Sequence, residues 1–414
     1  MHIFASLFKS IRVFNTNKKN SKLYAEIIQQ LYYGTVMSCA ELSSKIDKSI
    51  PLVTKSLNHL IEMGLVIEQG YAPSSGGRRP LMYAVKSDRL FIVTVAMDQL
   101  STRIVTVDLL NNYITPVEIF ELKLLNNVNS LASLTKIIVD HIAKHSLDKE
   151  KLIGVGIGMP GFVNINEGVN HTYLDAAEES LTGHISDAIG LPVFIDNDSS
   201  LIALSELKFG VAKDIKDVMV INLSWGIGLG MIINGQLFRG HSGFAGEFSH
   251  IPITEEGALC SCGKQGCLEA EASLLAVAEK ALEGIKSGRI SSFRGFDERS
   301  KVDAGDALMD VANKGDQFAI ELLSEAGYKI GRGLSILIHI MNPKAIVISG
   351  RGVKVGRLLL APIQQALNKY CIPRLSSETD IIISEIGFDA ELIGAAILVM
   401  ENFHKEKHQP ASVH

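Results

Sequence analysis

The chain is short of the features that mark exported or membrane-bound proteins. Its five cysteines are few and odd in number, which argues against a disulfide framework. No apolar run approaches the roughly 20 residues that span a bilayer, so no membrane partner is expected. Residues 1–14 are mildly apolar but lack the apolar core and cleavage site of an export signal. They are expected to form a flexible or packing arm (1–20), and the chain is expected in a reducing cytoplasm.

Strong net charge is also missing: the balance is −5 over 414 residues. Its distribution is uneven. Residues 1–90 carry 12 Lys+Arg against 6 Asp+Glu, and the remainder carries 28 against 39. A basic head on an acidic body suits a head that meets polyanions, although six excess charges could also be a solvated face.

What cysteine there is lies concentrated. Cys260, Cys262 and Cys267 fall within eight residues of a Gly-rich turn, with His250 upstream. Three thiolates and an imidazole are the ligand set of a closed tetrahedral zinc site. Four protein ligands leave no position for water, so a Zn2+ ion here would brace a loop. Glu247 and Glu269 flank it and could hold a polar ligand. Cys39 and Cys371 stand alone and are expected to be small core residues.

The head, residues 21–86, alternates helix and turn signals. Leu23, Ile27, Ile28 and Leu31 share one stripe. Ser38 and Glu41 have the spacing of a capping box that opens a second helix. After Lys48 and Ser49 a third helix is expected over 50–63, with Val53, Leu57, Leu60 and Ile61 inward and Thr54, Lys55 and Asn58 outward. Gly64 ends it, and strands at 65–68 and 81–85 flank a Gly/Pro-rich tip bearing Arg78 and Arg79. Three helices and a two-stranded hairpin make a winged helix-turn-helix. Its third helix would enter a major groove and its arginine tip would contact phosphate or a narrow minor groove. A helical domain that binds protein is the alternative.

The body reads as α/β. Strand patterns at 91–97, 103–109 and 114–124 precede a helix at 131–145, a strand at 152–157 ending in Gly158-Met-Pro-Gly161, and a strand at 192–196 ending in Asn197-Asp198. The order recurs: a hairpin at 218–223 and 228–233, extended by 236–239, then helices near 274–285 and 318–341, strands at 345–349 and 380–385, and a last helix at 390–403. Two such halves make a two-lobed actin-like (ribonuclease-H-like) fold. Lobe 1 is expected over 87–198, completed by the last helix. Lobe 2 spans 199–389 with its zinc loop at 247–269, and 404–414 is a tail. In such folds ligands bind at strand carboxyl ends.

Together these residues resemble the ROK family, named for repressors, open reading frames and kinases of sugar metabolism. The most specific part is Glu247-Phe-Ser-His250 followed by Cys260-Ser-Cys-Gly-Lys-Gln-Gly-Cys267-Leu-Glu269. The head and Gly76-Gly-Arg-Arg-Pro80 are similar to the regulator branch, whose members respond to xylose, N-acetylglucosamine or glucose metabolism. The resemblance implies a sugar in the cleft between lobes. Asn197 and Asp198 match an Asn-Asp pair that bonds sugar hydroxyls, the aspartate being the general base in the kinases. Glu247 and Glu269 match hydroxyl acceptors, and His250 a residue with one ring nitrogen on zinc and the other toward sugar. Asn170 stands in a region that often contributes an asparagine. Read alone, Asn197-Asp198 could equally be a turn and helix cap.

The departures bear on catalysis. Family kinases carry Asp-x-Gly-Gly-Thr-Lys after the first strand; here the stretch is Asp98-Gln-Leu-Ser-Thr-Arg103, with Leu100 and Ser101 in place of the glycines that admit phosphate. Trp225 is bulky in the second loop, Ser224–Gly230, and Gly350-Arg-Gly352 is a reduced Gly-rich loop. Ser249 replaces a glycine before His250. The resemblance and these departures together imply a sugar-responsive transcription regulator, most simply a repressor, expected to bind double-stranded operator DNA as a homodimer or homotetramer, with no enzyme activity expected. The alternative is an active ATP-dependent sugar kinase with a regulatory head.

Overall fold

The structure, a computed structural model, describes residues 18–73, 79–174, 180–293 and 301–402. Residues 1–17 of the expected arm, the tail beyond 402 and Arg78 lie outside the described residues. The chain groups into two units. One holds residues 1–97, 101–196 and 395 onward; the other holds 98–100 and 197–394.

The head belongs to the first unit. Helix α1 (Lys18–Gly34) buries Leu23, Ile27, Ile28 and Leu31 along its apolar stripe. Helix α2 (Cys39–Lys45) opens on the expected capping box: the Glu41 amide donates to Ser38 Oγ at 3.2 Å, and the Ser38 amide donates to Glu41 Oε2 at 2.7 Å. Those bonds hold the Glu41 carboxyl below its ordinary range. Helix α3 (Ile50–Glu62) starts with Pro51 in its first turn and buries Val53, Leu57 and Leu60. Gly64, at φ +68°, closes it: the Leu65 amide reaches Leu60 O and the Gly64 amide reaches Ile61 O.

The expected two-stranded hairpin is one strand short. Val36–Ser38 (β1) pairs with Leu81–Val85 (β3), which also pairs with Val66–Tyr71 (β2). Three residues directly before a cap are too few to show a strand period. Two bonds anchor the head within its unit. Gln29 Nε2 donates to Met400 O at 3.1 Å, and the Tyr32 hydroxyl donates to Asn111 Oδ1 at 2.7 Å.

The rest of this unit is a five-stranded sheet. Its strands are Phe91–Met97 (β4), Ser101–Asp108 (β5), Glu118–Glu121 (β6), Leu152–Met159 (β7) and Val193–Asn197 (β10), in the order β10-β7-β4-β5-β6. The small pair Val163–Asn164 (β8) and Val169–Asn170 (β9) stands apart from it. The strand expected over 114–124 contracts to β6. Pro116 has no amide to donate, and the Thr115 hydroxyl instead accepts from the Thr106 amide at 2.9 Å. Helices α4 (Ser130–Lys144) and α5 (Leu181–Ile189) cover the sheet through Leu134, Ile138, Leu181 and Ile185.

The second unit repeats the plan. Strands Val218–Leu223 (β11), Ile227–Ile233 (β12), Gln236–Phe238 (β13), Ala345–Ser349 (β14) and Asp380–Ile383 (β15) run in the order β13-β12-β11-β14-β15, with β11, β14 and β15 parallel. Helix α6 (Asp198–Lys208) packs against the β11–β12 hairpin, and the long helix Gln317–Met341 packs against Gly356–Tyr370. A helix at Lys301–Asn313 was not expected. It buries Ala304, Leu308, Met309 and Ala312, but Gly305, Asp306 and Asp310 break up the apolar pattern in the sequence.

Candidate functional site

The four candidate ligands converge because the loop folds into tight turns. Cys260 N donates to Lys264 O, and Gly263, at φ +84°, donates back to Cys260 O. Bridges Leu259↔Gln265 and Pro252↔Cys267 bring the two ends together. His250, Cys260, Cys262 and Cys267 then present donor atoms within 4.8 Å of one another. Cys262 Sγ lies 3.6 Å from Cys267 Sγ, and His250 Nδ1 lies 3.5 Å from Cys260 Sγ. Ligands about 2.3 Å from a tetrahedral ion stand about 3.8 Å apart, so the spacing fits a metal. Burial, with the neighbouring sulfurs, pushes the Cys267 thiol up to about 12, whereas a hydrogen bond from the Lys264 amide lowers that of Cys262. A dication among them would favour the thiolates.

The two ring nitrogens of His250 face different neighbours. Its Nδ1 faces the sulfurs, and its Nε2 lies 3.6 Å from Glu247 Oε2. Ser249 is buried in a short 3-10 turn, Phe248–His250, that accommodates its side chain. One brace was missed. Glu271 accepts from the Ala258 amide at 2.7 Å and from Lys329 Nζ at 2.7 Å, tying the metal loop to the long helix. A lone glutamate two residues past Glu269 gave no signal of this in sequence.

Asn197 and Asp198 stand where strand β10 becomes helix α6. Asn197 Oδ1 accepts from the Ser199 and Ser200 amides, so it does cap the helix. Asp198 accepts from the Ser199 amide at 2.7 Å, the Ser199 hydroxyl at 3.1 Å and Asn222 Nδ2 at 3.1 Å. Burial nevertheless pushes its carboxyl up to about 7, helped by the charges of Asp98 and Glu269. Burial likewise raises Glu247. Glu269 accepts from the Ile227 amide at 3.3 Å. Asp198, Glu247 and Glu269 thus share one electrostatic environment in the second unit. Asn222 was missed, though a polar residue inside Val-Met-Val-Ile-Asn-Leu is the signal to look for.

Asn170 is in the first unit, and its amide is engaged locally. Its Nδ2 donates to Pro160 O, and its Oδ1 accepts from the Thr172 and Tyr173 amides. Its observed task is to hold that loop.

The glycines of the second loop are used for packing. A β-carbon at Gly228 would lie 1.9 Å from Ser199 Oγ, and one at Gly230 2.3 Å from Ala203 Cβ. They let helix α6 approach the hairpin. Leu100 packs against the core of its unit. Arg351 lies between the Trp225 and Phe388 rings, 4.5 and 4.3 Å from their centroids, and pairs with Asp306 at 2.8 Å and Asp98 at 3.7 Å.

In the head, Lys48, Ser49, Lys55, Asn58 and Arg79 are exposed, as are Ile50 and Leu52. Thr54 is half-buried. Its hydroxyl donates to Ile50 O at 2.9 Å and lies 3.2 Å from Cys39 Sγ, so it faces the seam with α2 more than a groove.

Two α/β units of this strand order, one bearing a cysteine loop beside clustered carboxylates, define an actin-like sugar-kinase fold. The ROK family description matches residues 127–402, and the chain belongs to the ROK family. It is 34% identical over 284 residues to a glucokinase of Halalkalibacterium halodurans, a match covering 67% of this chain and 86% of that one. It is 30% identical over 399 residues to a xylose repressor of Bacillus spizizenii, covering 93% and 96%. A crystal structure described as a ROK family transcriptional regulator, homolog of the E. coli MLC protein, superposes with TM-score 0.73 at 22% identity over 94% of this chain and 97% of that one. A match over 93% of the chain must take in most of the head; one over 67% need not.

Proposed function

We propose that the protein is a sugar-responsive transcriptional repressor. Its head acts as a winged helix-turn-helix on double-stranded operator DNA, and its second unit holds the sugar. The observation that carries this reading is Arg351 stacked between Trp225 and Phe388. Trp225 and Arg351, with Leu100, stand in the loops that match those by which family kinases hold nucleotide phosphates. The Trp225 ring also presses on Gly305, where a β-carbon would stand 2.1 Å away. Asp198 then accepts a sugar hydroxyl without acting as a base. Repressors are among the relatives matched over more than nine-tenths of the chain, which supports the DNA-binding part.

The ligand is a neutral sugar. Asp198, Glu247 and Glu269 would accept from its hydroxyls. Among the described cations nearby, Arg351 is already paired with Asp306 and Asp98, so a sugar phosphate would meet uncompensated like charge. The metal is zinc, held by His250, Cys260, Cys262 and Cys267, and it orders the loop that carries Glu247 and Glu269. The protein works in the cytoplasm as a dimer, because paired heads match a two-fold operator. Among the described residues, no helix is long and apolar enough to cross a membrane.

The direct test is a gel shift on the region upstream of its own gene, with and without neutral pentoses, hexoses and amino sugars. Failure to shift any local promoter fragment sinks the reading. Within that assay, Lys55→Ala and Arg79→Ala should each weaken binding to all sequences and flatten the salt dependence by about one unit of slope. Asn58→Ala should cost about 1–3 kcal/mol on the operator alone. Exposed Leu52 has the chemistry to meet a thymine methyl.

A kinase remains the second reading because Asp198 and its cap are intact. Purified protein should release no ADP from ATP with any of these sugars, and ATP should leave its melting temperature unchanged. Steady turnover abolished by Asp198→Asn would reverse the ranking.

A further inference from the structure

We propose that Glu118, His141 and His145 form a second divalent-metal site, separate from the cysteine loop, that takes a transition ion of the zinc, nickel and copper class. His141 and His145 stand one helical turn apart at the end of α4, on the face toward edge strand β6, where Glu118 is the first residue. Their donor atoms and a Glu118 oxygen lie within 4.8 Å of one another. His141 Nδ1 is 2.5 Å and His145 Nε2 3.2 Å from Glu118 Oε2.

Two observations distinguish this cluster from a surface ion pair. First, the ring of His141 is buried and fixed from behind: its Nε2 faces Thr106 Oγ1 at 3.0 Å and Thr115 Oγ1 at 3.4 Å, which leaves Nδ1 aimed at Glu118. Second, the Glu118 and His145 side chains keep 13% and 19% exposure, which gives an ion a path in and water to complete its shell.

An ion at this point would replace the shared proton. Its ligands would stand about 3.4 Å apart, so Nδ1 and Oε2 need to part by less than about 1 Å. Lys144 bonds the other Glu118 oxygen and can stay there. The segment between Thr106 and Thr115 carries Asn111, the acceptor for Tyr32 of the head helix. A bound ion would stiffen the support on which that helix sits.

The test is calorimetric titration of Ni2+ into the zinc-replete full chain. One further equivalent of binding is expected in the unaltered protein and in Cys262→Ser, and none in His145→Ala, whose partly exposed ring can be removed without opening the core. Thr115→Val should retain the site but weaken it by about 10–100-fold, because it only orients a ligand. Co2+ bound there should absorb without a thiolate charge-transfer band. No equivalent beyond the cysteine loop, or equal nickel binding by a folded His145→Ala, would mean a hydrogen-bonded ion pair only and overturn the site.

Discussion

Replacing Cys267 with serine should strip the loop of its metal, abolish the response to sugar and leave operator binding close to that of the unaltered protein. Burial decides the outcome. Cys267 is fully buried and bridges to Pro252, so a serine there puts a hard hydroxyl among soft donors that select zinc. Metal affinity should fall by about 100-fold or more, since even residues that merely orient ligands are worth 10–100-fold. Without the ion, the turns around Gly263 have few apolar contacts to hold them, and His250 loses the partner that directs its Nε2 to Glu247. Glu269 follows Cys267 by two residues and would lose its place beside Ile227. The head has its own core of Leu23, Ile27, Leu57 and Leu60 and lies in the other unit. Metal analysis, sugar calorimetry and a gel shift on one preparation check all three parts. Retained zinc, or lost DNA binding with intact sugar binding, would contradict it.

The legible parts of this chain were those with local rules. The Ser38–Glu41 cap, the apolar stripe of α1, the strand 345–349 and the Cys260–Cys267 cluster all follow from spacing, because each is made by residues close together in the chain. What stayed hidden depends on distant partners. Strand β1 exists only because Ala84 and Met82 lie beside Val36 and Ser38. Lys301–Asn313 packs through Gly305 against the ring of Trp225, which lies far away in the chain. Glu271 reads as one more surface acid until Lys329, 58 residues on, is found against it. The same holds for function. Trp225, Leu100 and Arg351 each register in sequence as a departure from a kinase, but only in the folded unit do Trp225 and Arg351 meet over Phe388. Thr54 fails in the opposite direction: its helical position faces outward by period, yet its hydroxyl is taken by Ile50 O. Asn197 is seen in the capping role, its Oδ1 accepting from the Ser199 and Ser200 amides.

Asp198→Asn should separate stability from binding along the pH axis. In the folded protein burial lifts this carboxyl to about 7, against about 3.9 in an unfolded chain. A raised acid binds more protons folded than unfolded, so its contribution to stability falls as pH climbs from about 4 to about 7 and is level above that. Asparagine has no such titration. Whatever fixed cost the amide brings at Asn222, the stability of the variant relative to the parent should therefore grow across that window and then stay constant, shifting the melting temperature by a few degrees. Sugar binding should run the other way. If ionised Asp198 accepts a hydroxyl proton, the bound state favours the charged form, and affinity of the parent should climb toward pH 7 with a limiting slope of about tenfold per unit below it. The variant should bind at least about 10-fold more weakly at pH 8 and lose that slope. Opposed pH trends in stability and affinity, both erased by one substitution, are what a site gives when it keeps a costly charge for its ligand. Parallel trends, or a flat affinity profile in the parent, would assign Asp198 to the helix start alone.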